Sequence, residues 1–190
     1  MRIIEKTAYT AKELKELFPK AFEKAHYNFQ KDESYDNRDN EATIKAFIDA
    51  LPYIWLRRDE IAVTYGVYNL TEIEELTGEE LYSFLKVNDV ISKFTKGEEY
   101  TNKNSNVKRY SCPLTGYCMD DVFLDPFWEW LNDYKNSPLT YGELVRECYQ
   151  SGQKAIQADY DYYFSEENFI EMSEINEWEY FKDSSFCFED

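Results

Sequence analysis

Leu14, Leu17, Phe18, Ala21, Phe22, Ala25 and Phe29 recur every three or four positions, the period of one buried face of an α-helix. The preceding Thr10-Ala11-Lys12-Glu13 is a capping box, in which a threonine oxygen and a glutamate three residues on satisfy two amides at a helix start. Together they predict one helix from Thr10 to about Phe29, entered from a strand over Arg2 to Tyr9. A second helix is predicted from Glu41 to Leu51, with Ile44, Phe47, Ile48 and Leu51 inward and Pro52 closing it. From Ile61 to Leu70 the pattern changes to alternation, with Ile61, Val63, Tyr65 and Val67 on one face. That is a strand, with Gly66 placed for a bulge.

Further capping boxes follow at Thr71-Glu72-Ile73-Glu74 and Thr77-Gly78-Glu79-Glu80 and predict a helical turn and then a helix from about Gly78 to Phe94. Lys96 to Lys108 is polar and predicts a mobile loop. Tyr110 to Cys118 is a short extended segment with turn residues. Asp125-Pro126 reads as an N-cap before a proline at the first helical position, opening a helix to about Tyr134. Thr140-Tyr141-Gly142-Glu143 is one more capping box and opens the longest helix, with Tyr141, Leu144, Val145, Cys148, Gly152, Ala155, Ile156, Asp159 and Tyr163 near one face. Ser165 then caps a short helix to about Ile175, and Trp178 to Phe188 returns as one or two strands. With no regular βα repeat, the predicted architecture is a single α+β domain over residues 1–190, several helices packed on a small mixed or antiparallel sheet.

Composition supports a folded chain. Apolar residues make up 43%, charged residues 31%, and mean hydropathy is −0.69. A domain of this length buries about 70% of its unfolded surface. No run approaches the roughly 20 apolar residues of a membrane span. Met1-Arg2-Ile3-Ile4-Glu5-Lys6 is too short and charged for a signal peptide, so a cytoplasmic location is expected. The net charge of −17 disfavours direct binding to nucleic acid or anionic lipid, which needs Lys and Arg against phosphate, and favours basic partners.

That charge is concentrated. Ala155 to Asp190 holds eleven carboxylates against one lysine, Lys182, interleaved with tyrosine, phenylalanine and tryptophan. Aromatics at this density bury surface and order the chain, which a solvating acidic tail does not do. The segment is therefore expected to be a fixed acidic face, with Glu167, Glu171 and Glu174 on adjacent turns of one helix. The bland alternative is that excess charge only keeps the protein in solution. The sharper one is geometric. Duplex DNA carries one charge per about 1.7 Å of axis, so imitating about 20 Å takes roughly a dozen carboxylates on a rigid surface.

Three blocks, taken together, resemble a known family. They are Tyr9-Thr10-Ala11-Lys12-Glu13-Leu14 with its helix, Pro113-Leu114-Thr115-Gly116-Tyr117-Cys118-Met119-Asp120 through Leu131, and Ala158-Asp159-Tyr160-Asp161-Tyr162 through Phe181. The chain is similar to small acidic proteins of phages and mobile elements, often labelled "antitoxin of toxin–antitoxin stability system". The resemblance implies a mobile-element setting, hence a host-cell cytoplasm, and carries no catalytic residues. The end of the chain, Lys182-Asp183-Ser184-Ser185-Phe186-Cys187-Phe188, departs from the family's shorter, more polar tail.

Candidate chemistry is sparse. Asp120, Asp121 and Asp125 present three carboxylates that suit Mg²⁺ or Ca²⁺, but a turn after Gly116-Tyr117 explains Asp120 and Asp121 and the cap before Pro126 explains Asp125, and this reading is preferred. Cys112 or Cys118 with His26 has the elements of a nucleophile and base, yet no cationic neighbour or helix start adjoins either cysteine. Cys112, Cys118, Cys148 and Cys187 lack paired spacing, and one histidine is too few for a zinc site. No phosphate loop, nucleophile elbow or dinucleotide fingerprint is present. The sequence thus predicts no enzyme, no metal and no cofactor.

The expected function is a non-catalytic acidic binding protein that inhibits a host defence nuclease, a CRISPR effector or similar, by occupying its basic nucleic-acid groove as a nucleic-acid mimic. Asp159, Asp161, Glu166, Glu167, Glu171, Glu174, Glu177 and Glu179 are assigned to pairing with Lys and Arg, and Tyr160, Tyr162, Trp178 and Tyr180 to apolar anchoring. Two alternatives stand beside it: an antitoxin neutralising a basic toxin through the same face, and a metal-dependent enzyme centred on Asp120, Asp121 and Asp125. No heptad seam specifies an oligomeric state.

Overall fold

The computed structural model describes residues 7–59, 62–67, 73, 75–95, 98–100, 109–117 and 119–185. They form two compact units, one from Met1–Asp36 with Gln157–Asp190, the other from Asn37–Ile156. Each has its own hydrophobic core.

The first unit is closed by both ends of the chain. Strand β1 (Tyr9–Thr10) pairs antiparallel with β6 (Glu179–Tyr180). Helix α1 (Ala11–Leu17) starts at the predicted capping box, where the Glu13 amide donates to Thr10 Oγ1 at 3.2 Å and the Thr10 amide to Glu13 Oε2 at 3.0 Å. The single predicted helix does not continue to Phe29. It breaks at Phe18, and Pro19 opens helix α2 (Pro19–Asp32), because a proline ring leaves no N–H for the preceding turn but suits the first position of a new one. Leu14, Phe22, Ala25 and Phe29 still face one core, together with Phe169 and Tyr180.

The second unit is built from helices packed on helices. Helices α3 (Arg38–Ala50), α4 (Gly78–Val87), α5 (Val90–Phe94), α6 (Met119–Asn132) and α7 (Tyr141–Tyr163), the last continuing beyond Ile156, contribute Phe47, Leu81, Phe94, Phe123, Trp128 and Tyr141 to its core. The helix predicted to run through to Phe94 is interrupted at Asp89, which adopts a left-handed φ of 59° between α4 and α5. Thr77 makes no side-chain cap bond, so the second of the two successive capping boxes does not form. The other falls on residues of which only Ile73 is described.

Asp125 is likewise not a helix cap. Helix α6 begins at Met119 and carries Pro126 within it, despite the lost backbone bond, because Phe123, Leu124 and Phe127 are buried on its inner face.

The strands are minor. Besides β1–β6 there are two antiparallel ribbons, β2 (Ile54–Asp59) with β3 (Ala62–Val67), and β4 (Glu98–Tyr100) with β5 (Arg109–Ser111). Strand β2 has no counterpart in the sequence pattern. The β2–β3 register is continuous through Trp55 opposite Gly66, so the bulge expected at Gly66 is absent. Part of the segment expected to be a mobile loop, Glu98–Tyr100, is strand; 96–97 and 101–108 lie outside the described residues, as do most of the first predicted strand and 186–190. The expected sheet platform is thus corrected to separate two-stranded ribbons among the described residues. The fold is α+β in a helix-rich sense, mainly helical, because the apolar stripes of its helices bury one another. Among the described residues no helix is long and apolar enough to cross a membrane.

Candidate partner-binding surface

The acidic segment is built into the first unit. The last turns of α7 lead through Phe164 to Ser165, whose hydroxyl accepts from the Asn168 amide at 3.1 Å and starts helix α8 (Glu166–Ile175) as predicted. Helix α2 holds this corner. His26 Nε2 donates to the Phe164 carbonyl at 2.9 Å and Gln30 Nε2 donates to it at 2.8 Å. Asn168 Nδ2 ties the corner from the other side through the Tyr163 carbonyl, at 2.7 Å. His26 also stacks against Phe22, Phe29 and Phe169, so its ring packs on the core of this unit.

All eight predicted carboxylates are exposed: Asp159, Asp161, Glu166, Glu167, Glu171, Glu174, Glu177 and Glu179. Glu166 alone among them is paired with a described cation, Lys15 Nζ at 2.6 Å, whose hydrogen bond lowers the Glu166 pKa. Glu171 accepts from the Tyr162 hydroxyl at 2.7 Å, a bond that raises the phenol's pKa. Asp161 accepts from Gln157 at 2.8 Å, and Asp159 from the Tyr35 hydroxyl. The side-chain carboxylates of Glu167, Glu174, Glu177 and Glu179 form no hydrogen bond or ion pair with described residues. The ten residues of α8 span about 15 Å, and glutamates three or four apart on it repeat at about 5 to 6 Å.

The aromatic assignments divide. Tyr160 and Tyr162 are 46% and 44% exposed and remain available as anchors. Trp178 is half-buried, its ring centroid 6.4 Å from that of Phe29. Tyr180 is corrected: it is 1% exposed, packs on Phe169, and lies 3.1 Å from Ser173 Oγ through its hydroxyl. Burial pushes its phenol pKa up. Alternation around β6 puts Glu179 outward and Tyr180 into the core, which a two-residue strand conceals in the sequence. Two surface members escaped the sequence reading: Ile175, 76% exposed at the end of α8, and Tyr35, whose partner Asp159 is 124 positions away. No local pattern signals the latter.

Glu177 ends α8 with a left-handed φ of 54°. The Trp178 amide donates to the Ser173 carbonyl at 2.8 Å and the Glu177 amide to that of Glu174 at 3.2 Å, the two bonds of a Schellman end that favours glycine. Glu177→Gly is therefore expected to stabilise the protein by about 0.5–1 kcal/mol, read as a rise in the thermal midpoint, while removing one carboxylate from the face. A fall in midpoint would show that the side chain contributes to the fold.

The carboxylates at the start of α6 have a different task. Asp120 is fully buried. Its Oδ2 accepts from the amides of Leu114, Thr115 and Gly116 at 2.8, 2.6 and 3.2 Å, and its Oδ1 from the hydroxyls of Thr115 and Thr43 at 2.6 and 3.1 Å. Asp121 Oδ1 accepts from the Cys112 amide at 2.8 Å. These two side chains organise the loop before α6, as a turn explanation requires, and Asp120 has five donors where a metal ligand needs free lone pairs. Among the described residues no group of three or more His, Cys, Asp or Glu is arranged to hold a metal ion.

Cys148 is buried and its thiol pKa is pushed up by that burial, the opposite of what an attacking thiolate needs. Cys112 is half-buried, and Cys118 and Cys187 lie outside the described residues. No family model, curated protein or solved structure matches this chain.

Proposed function

We propose that the protein is a non-catalytic binding protein whose acidic face occupies a basic, nucleic-acid-binding groove on another protein and blocks it by competition. The observation that supports this is the eight exposed carboxylates carried by the end of α7, α8, the turn after it and β6, of which Glu166 alone is neutralised by a described cation. The Ser165 cap and the His26 and Gln30 bonds to Phe164 fix the backbone where α7 meets α8, so the carboxylates on these two helices hold relative positions that a disordered tail does not. Opposite charge on the groove accelerates and orients encounter, and the exposed rings of Tyr160 and Tyr162 slow departure. The resemblance to mobile-element proteins makes a host defence nuclease the proposed partner class and the host cytoplasm the proposed site of action.

The test is the triple variant Glu167→Lys, Glu171→Lys, Glu174→Lys, at positions that are all exposed. Capture of the partner from host lysate is expected to fall at least about ten-fold, and capture by the unaltered protein to decline as salt rises. The captured protein is expected to be basic and to lose its nucleic acid to the acidic protein. Undiminished capture by a folded triple variant would sink the proposal.

A further inference from the structure

Beside the acidic helix, residues from the two ends of the chain form an aromatic cluster. Tyr35 packs edge to face on Tyr160 and Tyr163, with ring centroids 5.4 and 5.5 Å away, and Phe164 on the same two rings at 4.9 and 5.0 Å. Two carboxylates are fastened to this cluster by its own phenols. The Tyr35 hydroxyl donates to Asp159 Oδ2, and the Tyr163 hydroxyl donates to Glu33 Oε2 at 3.2 Å. Asp159 and Glu33 are both exposed, neither is paired with a cation among the described residues, and the second oxygen of each accepts no bond there.

Such a surface, apolar rings edged by oriented anionic oxygens, asks for a complement that is cationic, flat and rich in donors. A guanidinium lies on an aromatic face and still directs N–H groups sideways to carboxylates. An ammonium is also drawn to a ring face, but it is compact and strongly hydrated and has no planar fork to stack while donating sideways, so it gains less from such a surface. We propose that Tyr35, Tyr160 and Tyr163, with Glu33 and Asp159, form a docking surface for arginine side chains of the protein partner. This rests on the reading that the acidic face engages a basic protein, and it adds Glu33 and Tyr35 to that face. The phenol–carboxylate bonds hold the acceptors in place before contact, so binding orders fewer groups.

The probes are oligo-arginine and oligo-lysine peptides of equal length and charge, titrated against the full chain. The arginine peptide is expected to bind roughly three- to five-fold tighter. Tyr160→Ser is expected to erase that preference with little change in oligo-lysine binding, and Tyr160→Phe to restore it. Should Tyr160→Ser misfold by circular dichroism, the isosteric pair Glu33→Gln, Asp159→Asn, which keeps every ring, is expected to weaken arginine binding more than lysine binding. Equal affinity for the two peptides, or a preference untouched in these variants, overturns the arginine site. If charge reversal at Glu167, Glu171 and Glu174 still weakens binding of both, the broader docking reading survives that loss. Failure of the unaltered chain to bind either peptide at low salt overturns both.

Discussion

Asp120→Ala is expected to destabilise the protein by about 3 to 5 kcal/mol, among the largest losses any single substitution here should produce. The carboxylate is fully buried and is the acceptor for three consecutive amides, Leu114 to Gly116, and for the hydroxyls of Thr43 and Thr115. Alanine leaves these donors unanswered, and each orphaned buried donor costs about 1–3 kcal/mol less whatever water recovers. Asp120→Asn, which turns one oxygen into a donor facing other donors, is expected to cost about 2–3 kcal/mol. Denaturant unfolding followed by tryptophan fluorescence measures both. The sign separates this role from metal binding: in metal-free protein, deleting a ligand carboxylate from a chain of net charge −17 relieves repulsion and leaves stability unchanged or higher. A change smaller than about 1 kcal/mol in Asp120→Ala would contradict the structural role.

Gly152→Ala is the second large effect, and its sign runs against helix propensity. On an open helix surface the change stabilises by about 1 kcal/mol. Here a β-carbon at Gly152 would meet the Phe123 ring at 2.1, 2.2 and 2.4 Å, far inside van der Waals contact. Phe123 is fully buried between Phe47 and Tyr149, so its ring has nowhere to retreat. The net expectation is a loss of about 2–3 kcal/mol from overpacking. The double variant Gly152→Ala, Phe123→Leu removes the colliding ring and is expected to lose less than the two single losses combined. Additive losses would show that the clash is not the cause.

Much of the fold is legible in the sequence, for reasons of range. A capping bond closes within four residues, so Thr10, Thr140 and Ser165 announce their helices without help from the rest of the chain. Helical periodicity is equally local, and it locates most of the core positions of α2, α3 and α7. Where local signals compete, the outcome turns on packing. Asp125-Pro126 has the composition of a helix start, yet the buried side chains on either side carry α6 through it. Pro19 and Asp89 break helices that their apolar spacing alone would continue, because spacing reports burial and not the backbone bonds between.

The functional face divides the same way. The charge of Ala155 to Asp190, its interleaved aromatics and the helical spacing of Glu167, Glu171 and Glu174 are properties of the sequence by itself. Charged carboxylates stay in water unless paired, which is why their exposure follows from composition. Tertiary structure alone decided which aromatics share that surface: Tyr180 turned into the core, while Tyr35 came from the other end of the chain to meet Asp159. It also decided that Asp120 is buried and anchors the loop before α6. Each of those outcomes depends on which distant segment occupies the neighbouring space, a contact that no local spacing encodes.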